Sequence, residues 1–330
     1  MRIKILFVVM LINMYASAQV ARNTIVEHFT NTWCGICASR NPGFYTNLNA
    51  QTNVRHIAYH PSSPYAGCIL SQHNVTENNG RTNYYGIFGG TPRLVINGTV
   101  IASSANYSSA SIFTPFNGQT SAFEISILQD KSSATTITSK VTIKTVAQHS
   151  LASASLFTGL AEDTIFYQGP NGEAQHYDVF RKAYNSTTGQ NITLAANVGD
   201  SVQFTYSTTS SPVWNLSRMF TFAILQETTS KSLLQCLTVP ASQNDFILGV
   251  EETQEADWIK IYPNPVKDFL IIEGYQNSFD VEYAITDAFG KITKTVKEEN
   301  KINVRDLKPG VYFLVIRNKA EKKIYRFIKF

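Results

Sequence analysis

The sequence predicts a multidomain protein that joins an α/β unit to two all-β units. Three observations lead to this prediction. A strand-turn-helix pattern surrounds a Cys-x-x-Cys pair at 34–37, apolar and polar residues alternate within 123–206, and the density of charged residues rises near residue 251. At roughly 100–200 residues per domain, 330 residues allow two or three domains. The net charge of +4 is too small to indicate nucleic-acid binding.

Residues 1–18 have the pattern of a signal peptide. Two cations precede an apolar core, and small residues at 16–18 favour cleavage after residue 18. The longest apolar run, at 5–12, is far shorter than the roughly 20 residues of a membrane-spanning helix, so no transmembrane span is predicted. The mature chain is therefore expected in an oxidising compartment, where paired thiols tend to form disulfides.

Charge density divides the mature chain. Charged residues make up 10% of 19–250 but 34% of 251–330, and the acidic stretch 251–257 has the character of a linker. A second break, at 114–118, combines proline with an Asn-Gly turn pair. The predicted units are an α/β domain at 19–116, a β-sandwich at 119–240, a linker at 241–257 and a C-terminal domain at 258–330.

The middle unit is predicted to be a β-sandwich. Phe123, Ile125 and Ile127 alternate with polar residues, as Val141 and Ile143 do, which is the period of half-buried strands. Short strands separated by turn residues are typical of a sandwich.

The Cys-x-x-Cys pair is the strongest chemical motif in the chain. The strand-like residues 25–29 lead through a turn to Cys34, which is predicted at a helix N-terminus, where free amides and the helix dipole favour a thiolate. Cys37 lies one turn further on the same face, close enough for a disulfide, and Pro42 is expected to kink the helix. The dipole contributes only about 0.3–1 kcal/mol, less than one pKa unit, so activation also needs hydrogen bonds to the Cys34 sulfur.

This stretch resembles the thioredoxin superfamily. Residues 33–37 match its Trp-Cys-x-x-Cys motif, and the Gly-Gly-Thr-Pro of 89–92 resembles its cis-proline loop. The resemblance implies a thioredoxin-like α/β domain, with Cys34 as the attacking thiol and Cys37 as the resolving thiol. It also implies that Trp33, Thr91 and Pro92 contact a protein thiol or disulfide substrate.

The sequence departs from that family at the buried carboxylate. The matching position, six residues before the first cysteine, holds His28, while the neighbouring Glu27 faces the other side of the strand. The insertion between Cys37 and Pro92 is also longer than in a minimal thioredoxin. The sequence therefore assigns no carboxylate to proton transfer with Cys37.

The four cysteines admit other roles. A structural disulfide between Cys34 and Cys37 would contribute only about 2 kcal/mol in the chain-entropy model, against about 5 kcal/mol for one between Cys68 and Cys236. We therefore expect Cys68 and Cys236 to pair, with separate burial as the alternative. Cys34 and Cys37 could also bind a metal together with one of the histidines 28, 56 or 60, but no second Cys-x-x-Cys or spaced histidine pair supports this. No metal and no cofactor are predicted.

Residues 22–240 together resemble the 28-kilodalton outer-membrane-protein (Omp) family of Bacteroidetes. The resemblance rests on four segments, 27–30, 160–165, 176–181 and 214–215. It implies a thioredoxin-like domain joined to a β-sandwich at the cell surface. His176 and Arg181, in the third segment, are expected to be exposed strand residues rather than catalytic ones.

The C-terminal unit resembles a type IX secretion, type A sorting domain. Four motifs occur in that family's order, at 261–265, 287–291, 307–313 and 322–330. The resemblance implies an immunoglobulin-like (Ig-like) β-sandwich, the type IX secretion machinery as a partner, and a secreted or cell-surface location at the outer membrane.

Two functions are consistent with the sequence. One is a secreted thiol-disulfide oxidoreductase, similar to protein disulfide reductases and isomerases, acting on extracytoplasmic proteins. The other is a redox-inactive binding or adhesive surface protein that keeps the same scaffold.

Overall fold

The computed structural model describes residues 19–133, 135–245, 259–273, 282–287, 290–297, 300–317 and 322–330. The predicted signal peptide and the acidic stretch 251–257 lie outside the described residues. Over the described ranges the protein is multidomain and mostly β-sheet, with three α-helices near its N-terminal end.

The N-terminal part contains a strand-helix-strand unit followed by two antiparallel strands. Its elements are β1 (Val20–Ala21), β2 (Thr24–Phe29), α1 (Gly35–Asn49), β3 (Val54–Tyr59), α2 (Ile69–Gln72), α3 (Val75–Tyr84), β4 (Arg93–Ile96) and β5 (Thr99–Val100). Strands β2 and β3 are parallel, which requires a crossover connection, and α1 provides it. Strand β4 pairs antiparallel to β2, and β5 pairs antiparallel to β4.

The middle part is built from β-strands and a short 3-10 turn. Its strands are β6 (Thr120–Ser121), β7 (Phe123–Asp130), β8 (Thr136–Thr145), β9 (Ser153–Phe166), β10 (Gln175–Ala183), β11 (Gln190–Thr193), β12 (Ser201–Thr209), β13 (Met219–Gln226) and β14 (Leu233–Thr238). A 3-10 turn spans Leu216–Arg218, and two more, Ala110–Ile112 and Thr114–Phe116, end the N-terminal part. Strands β12, β8 and β7 form one sheet in that order.

A second sheet crosses the boundary predicted at 114–118. Strand β10 pairs in parallel with β3, with Val179 beside Ala58. The resulting order is β14-β13-β9-β10-β3-β2-β4-β5, with β11 attached to β9. Strand β10 thereby covers an edge of β3 that would otherwise expose unpaired backbone groups. The two sequence-predicted units therefore share one nine-stranded sheet.

One hydrophobic cluster extends through both units. It includes Phe29 and Ile57 from β2 and β3, and also Val141, Phe157 and Phe222 from β8, β9 and β13. The β12-β8-β7 sheet packs its apolar side chains against this shared core. Burial of apolar surface thus stabilises the two units together.

The C-terminal part has two sheets and a core of its own. Its strands are β15 (Lys260–Tyr262), β16 (Phe269–Glu273), β17 (Glu282–Asp287), β18 (Ile292–Lys297), β19 (Lys301–Asn303), β20 (Gly310–Arg317) and β21 (Lys322–Lys329). The sheet orders are β15-β16-β19 and β18-β17-β20-β21. Leu270 and Ile302 from the first sheet meet Ile285, Leu314 and Phe327 from the second. The predicted Ig-like β-sandwich is confirmed.

A buried ion pair connects α3 to the shared sheet. Arg81 donates from Nε and Nη2 to the Glu27 carboxylate, at 2.6 and 2.8 Å, and both side chains are almost completely buried. Arg81 also donates to the Tyr85 hydroxyl, the Gln226 side chain and the Thr187 carbonyl. Burial alone would lower the pKa of Arg81, but Glu27 raises this pKa above its usual value. The guanidinium therefore stays charged inside the core.

Breaking this pair should strongly destabilise the protein. Glu27→Leu leaves the Arg81 charge buried without a carboxylate, and we expect the free energy of unfolding to fall by about 3–5 kcal/mol. The double variant Glu27→Leu/Arg81→Met should lose less, because it leaves no unpaired charge. Chemical denaturation measures both, with the exposed Lys144→Ala as the control, for which a change within about 0.5 kcal/mol is expected. A Glu27→Leu variant as stable as the wild type would contradict this account.

Candidate functional site

Cys34 caps the N-terminus of α1. Its backbone is extended (φ −84°, ψ 105°), and its Sγ accepts a hydrogen bond from the Cys37 amide at 3.0 Å. Cys34 and Cys37 form a disulfide with a Cα–Cα distance of 5.1 Å, within the usual range. The helix predicted after Cys34 continues through Pro42 to Asn49. The site therefore combines a disulfide with the free amides of a helix N-terminus.

A cis peptide bond lies beside this disulfide. The Thr91-Pro92 bond is cis and immediately precedes β4, which pairs with β2. The Sγ of Cys34 lies 3.5 Å from the Thr91 carbonyl oxygen. The structure thus brings Thr91 and Pro92 to Cys34, although 57 residues separate Thr91 from Cys34 in the sequence.

Trp33 lies at the exposed side of the site. Its side chain is 47% exposed, and Ile36, between the two cysteines, is 61% exposed. A Cβ atom at Gly67 would lie 2.7 Å from the Trp33 ring, so only glycine allows the ring to pack there. Cys34 and Cys37 are both fully buried between these exposed neighbours.

The expected pairing of Cys68 with Cys236 is wrong, since both thiols are free and buried. Cys68 packs with Val179 on β10, whereas Cys236 lies in the core cluster that contains Phe180. The two thiols therefore lie in different apolar clusters. Burial raises the pKa of Cys236 to about 12, which keeps this thiol protonated and unreactive.

Buried histidines lie under α1 and beside it. The ring of His28 is 4.7 Å from Phe44 of α1 and 5.6 Å from His56, and His60 is 6.1 Å from His176. Burial and then the neighbouring histidines lower the pKa values of His28 and His60 well below their usual value. Glu27 points to the opposite face of β2, as predicted, and pairs with Arg81.

The loop between β9 and β10 also reaches the site, and sequence reasoning missed it. The backbone amide of Asn171 donates to the Thr32 carbonyl at 3.0 Å, and its side chain donates to the Cys34 carbonyl at 3.1 Å. Glu173 accepts from Asn41 of α1 at 2.7 Å. Asn171 lies 137 residues from Cys34 in the sequence. Neither Asn171 nor Glu173 belongs to a recognisable motif.

A separate cavity of about 610 Å³ lies where α2, β9, β10 and the segment before β13 meet. Arg181 lines it and donates to Glu162 at 2.8 Å and to Nδ1 of His73 at 2.7 Å, beside the apolar Ile69 and Trp214. The expectation that His176 and Arg181 are exposed is wrong. They are only 5% and 3% exposed, because Arg181 is paired with Glu162 and His176 donates to the Tyr167 carbonyl.

The described residues give no metal-binding cluster, since no three His, Cys, Asp or Glu side chains among them could hold an ion together. In the same part of the chain, no helix has the length and apolar character needed to cross a membrane. Cys34 and Cys37, considered above as metal ligands, are joined to each other.

Comparison with known proteins assigns the C-terminal part. Residues 260–329 match the family described as "Secretion system C-terminal sorting domain". The match coincides with the Ig-like sandwich of β15 to β21 and confirms the predicted sorting domain. The chain is therefore a protein exported by type IX secretion to the cell surface, and it interacts with that secretion machinery.

Similar solved structures come from Porphyromonas gingivalis. HBP35 of that organism has a TM-score of 0.59 and 15% sequence identity, over 94% of this chain and 98% of HBP35. At this identity the likeness shows a common fold alone. A domain of its outer membrane lipoprotein Omp28 gives a TM-score of only 0.28 at 14% identity, over 36% of this chain and 88% of that domain. No match is found among curated protein sequences.

The buried histidines predict acid sensitivity. His28 and His60 stay neutral in the folded protein but bind protons in the unfolded chain below about pH 6.5. The stability that these neutral histidines contribute should therefore be fully present above pH 6.5. Below that pH the free energy of unfolding should fall by up to about 1.4 kcal/mol per pH unit for each histidine. Urea denaturation between pH 7.5 and 5.5 measures this slope.

The matched variant is His28→Leu, which packs on Phe44 and cannot titrate. It should show a shallower slope than the wild type over the same pH range. Equal stability of the wild type at pH 7.5 and pH 5.5 would contradict the prediction.

Proposed function

We propose that this cell-surface protein is a thiol-disulfide oxidoreductase with a thioredoxin-like α/β unit, acting on extracytoplasmic proteins through Cys34 and Cys37. The observation that carries the proposal is the disulfide at the N-terminus of α1, next to the cis Thr91-Pro92 bond. A disulfide that served only as a staple would gain little from closing such a short loop.

The position of Cys34 favours its thiolate. In the reduced protein, the Cys37 amide and the positive end of the helix dipole would stabilise a negative charge on Sγ. The contact from the Cys37 amide supplies the hydrogen bond that the dipole alone cannot replace.

The proposed reaction has two exchange steps. The Cys34 thiolate attacks one sulfur of a substrate disulfide, so that a mixed disulfide forms and one substrate thiolate leaves. The Cys37 thiolate then attacks Cys34, which forms the Cys34–Cys37 disulfide and releases the second substrate thiolate. Two electrons pass from the protein dithiol to the substrate disulfide, the two protein thiol protons balance the two substrate thiolates, and the reverse sequence oxidises a substrate dithiol.

Trp33, Thr91 and Pro92 are the proposed substrate contacts. The exposed Trp33 ring offers an apolar surface beside Cys34. Thr91 and Pro92 lie directly before β4, and the Thr91 carbonyl oxygen is 3.5 Å from the Cys34 sulfur. These residues would hold a substrate polypeptide near the attacking atom, which is the main requirement of a thiol exchange between two proteins.

We also propose that residues 22–240 belong to the Omp family named above and that the sorting domain is of type A. The support is the order of the sequence motifs and, for 22–240, the shared sheet that joins the α/β unit to the β-sheet unit.

The second candidate is a redox-inactive binding or adhesive surface protein on the same scaffold. One observation favours it, namely that both Cys34 and Cys37 are fully buried in the disulfide form. A substrate thiol can reach Cys34 only after the surrounding segments shift.

Deleting residues 258–330 should leave the protein in the periplasm, because the sorting domain carries the address that the secretion machinery reads. Cell fractionation and surface labelling measure this. The control is the full chain with Cys34→Ser/Cys37→Ser, which should reach the surface normally. Normal display of the truncated chain would contradict the sorting assignment.

If the oxidoreductase proposal is right, Cys34 should react first with an alkylating reagent in the reduced protein, with an apparent pKa well below about 8.5. Cys37→Ser should trap substrates as mixed disulfides at Cys34, and Cys34→Ser should trap none. Mass spectrometry of secreted extracts identifies the trapped species. Cys236→Ala is the matched control, since its thiol is buried and unreactive.

Pro92→Ala should weaken trapping while the domain stays folded. If Cys34 instead titrates near 8.5 and Cys37→Ser traps nothing, the binding or adhesive function becomes the better account.

A further inference from the structure

The loop at the tip of the β9–β10 hairpin, residues 167–174, is bound to the segment that carries Cys34. The backbone amide of Asn171 donates to the Thr32 carbonyl at 3.0 Å. The Asn171 side-chain Nδ2 donates to the Cys34 carbonyl at 3.1 Å and to the Asn31 carbonyl at 3.3 Å. One asparagine thus contacts the backbone at three of the four positions from 31 to 34.

A second contact ties the same loop to α1 itself. Glu173 accepts from Asn41 Nδ2 at 2.7 Å, and Asn41 also donates to the Thr30 hydroxyl at 3.0 Å. Asn41 lies one helical turn beyond Cys37. Within the loop, Asn171 Nδ2 donates to Glu173 at 2.6 Å, and the Glu173 amide donates back to Asn171 Oδ1 at 3.1 Å. The loop therefore holds the chain on both sides of the disulfide.

The loop packs closely at Gly169. A Cβ atom there would lie 3.0 Å from the Thr32 carbonyl oxygen and 2.8 Å from Asn171 Oδ1. An alanine at this position must displace the Asn171 side chain or shift the loop slightly against Thr32. The same contact can thus be disturbed without changing Asn171.

These contacts hold the backbone of Cys34, whose conformation sets the direction of its Sγ. The Cys34 carbonyl accepts from Ala38 as the first bond of the helix and also from Asn171. Fixing this carbonyl fixes the extended backbone of Cys34, and with it the direction of the Sγ that accepts from the Cys37 amide. Without the Asn171 contact, the Cys34 backbone would be less restricted, and its Sγ would accept from the Cys37 amide for less of the time.

We propose that Asn171 is a positioning residue for the Cys34–Cys37 pair, so that the β-sheet unit supplies part of the redox site of the α/β unit. The inference rests on the proposed function, because it concerns the reactivity of that pair. Its proposed effect runs through the backbone of residues 31–34, which its hydrogen bonds contact.

Losing the Asn171 contacts should make Cys34 less reactive and the disulfide harder to reduce. A weaker hydrogen bond from the Cys37 amide stabilises the Cys34 thiolate less, which destabilises the reduced form relative to the disulfide. We expect about threefold slower alkylation of reduced Cys34 at a pH below its midpoint, as for the loss of a typical helix-terminus interaction. The equilibrium with glutathione should move about threefold toward the disulfide, or about 14 mV.

The experiment compares the full chain with Asn171→Ala, Gly169→Ala and, as matched control, Asn197→Ala. Asn197 is an exposed turn asparagine in the β11–β12 connection, with a side-chain bond to Asp200 at 3.0 Å. Two quantities are measured for each: the equilibrium constant with reduced and oxidised glutathione, and the pH dependence of alkylation at Cys34. Thermal unfolding of each variant identifies general loss of structure.

The proposal is supported if Asn171→Ala and Gly169→Ala both shift the equilibrium toward the disulfide and move the alkylation profile to higher pH, while Asn197→Ala does neither. It is overturned if the two variants match the wild type, if they shift in the opposite direction, or if Asn197→Ala shifts equally.

Both measurements need no substrate, so they report on Asn171 even if the protein turns out not to be an enzyme. If the pH midpoint of Cys34 alkylation is low in the wild type and Asn171→Ala leaves it unchanged, this inference is wrong while the proposed function stands. Failure of Cys37→Ser to trap substrates would instead count against the proposed function.

Discussion

The buried charge of Arg81 is the constraint on which much of this structure depends. A guanidinium in a protein core is tolerated only when a carboxylate and further acceptors surround it. Glu27 on β2, Thr187 in the loop before β11 and Gln226 on β13 provide them. These partners come from both sides of the predicted domain boundary, so neither unit satisfies the charge alone. The nine-stranded sheet and the main apolar cluster likewise contain residues from both sides of that boundary.

This constraint also fixes the strand that leads to the disulfide. Glu27 and His28 are neighbours on β2 and point to opposite faces, one toward Arg81 and the other toward α1. A shift of β2 by one residue would place His28 against the guanidinium and a carboxylate under α1. The register of β2 is therefore strongly determined, and the turn to Cys34 begins from a fixed position. The register of the strand behind the candidate site is thus set by an interaction on its far side.

Local patterns explain which features the sequence could predict. The sequence predicts strand β2 and the helix after Cys34 from a few adjacent residues each, and the sorting domain from four short motifs in the order of its family. The pairing of β10 with β3 and the contact between Asn171 and Cys34 depend on residues more than a hundred positions apart. The Cys68–Cys236 prediction was wrong for the same reason, since chain entropy says how much a long loop would gain but not that the two thiols are buried in different apolar clusters. His176 and Arg181 look like exposed strand residues in the sequence because their partners, Tyr167 and Glu162, become neighbours only when β9 and β10 pair.

The sorting domain and the part of the chain that carries the disulfide have separate hydrophobic cores. Among the described residues, the apolar cluster of the sorting domain is built from residues between Ile259 and Phe327, whereas the cluster shared by the α/β and β-sheet units is built from residues between Ile25 and Val239. A substitution in the sorting domain can therefore alter export without changing the disulfide. Likewise, a substitution of the disulfide can leave export unchanged. Within the larger core no such separation exists, because the hairpin that reaches Cys34 grows from strands that also cover β3. The β-sheet unit is for that reason part of the candidate site and more than a spacer between the α/β unit and the sorting domain.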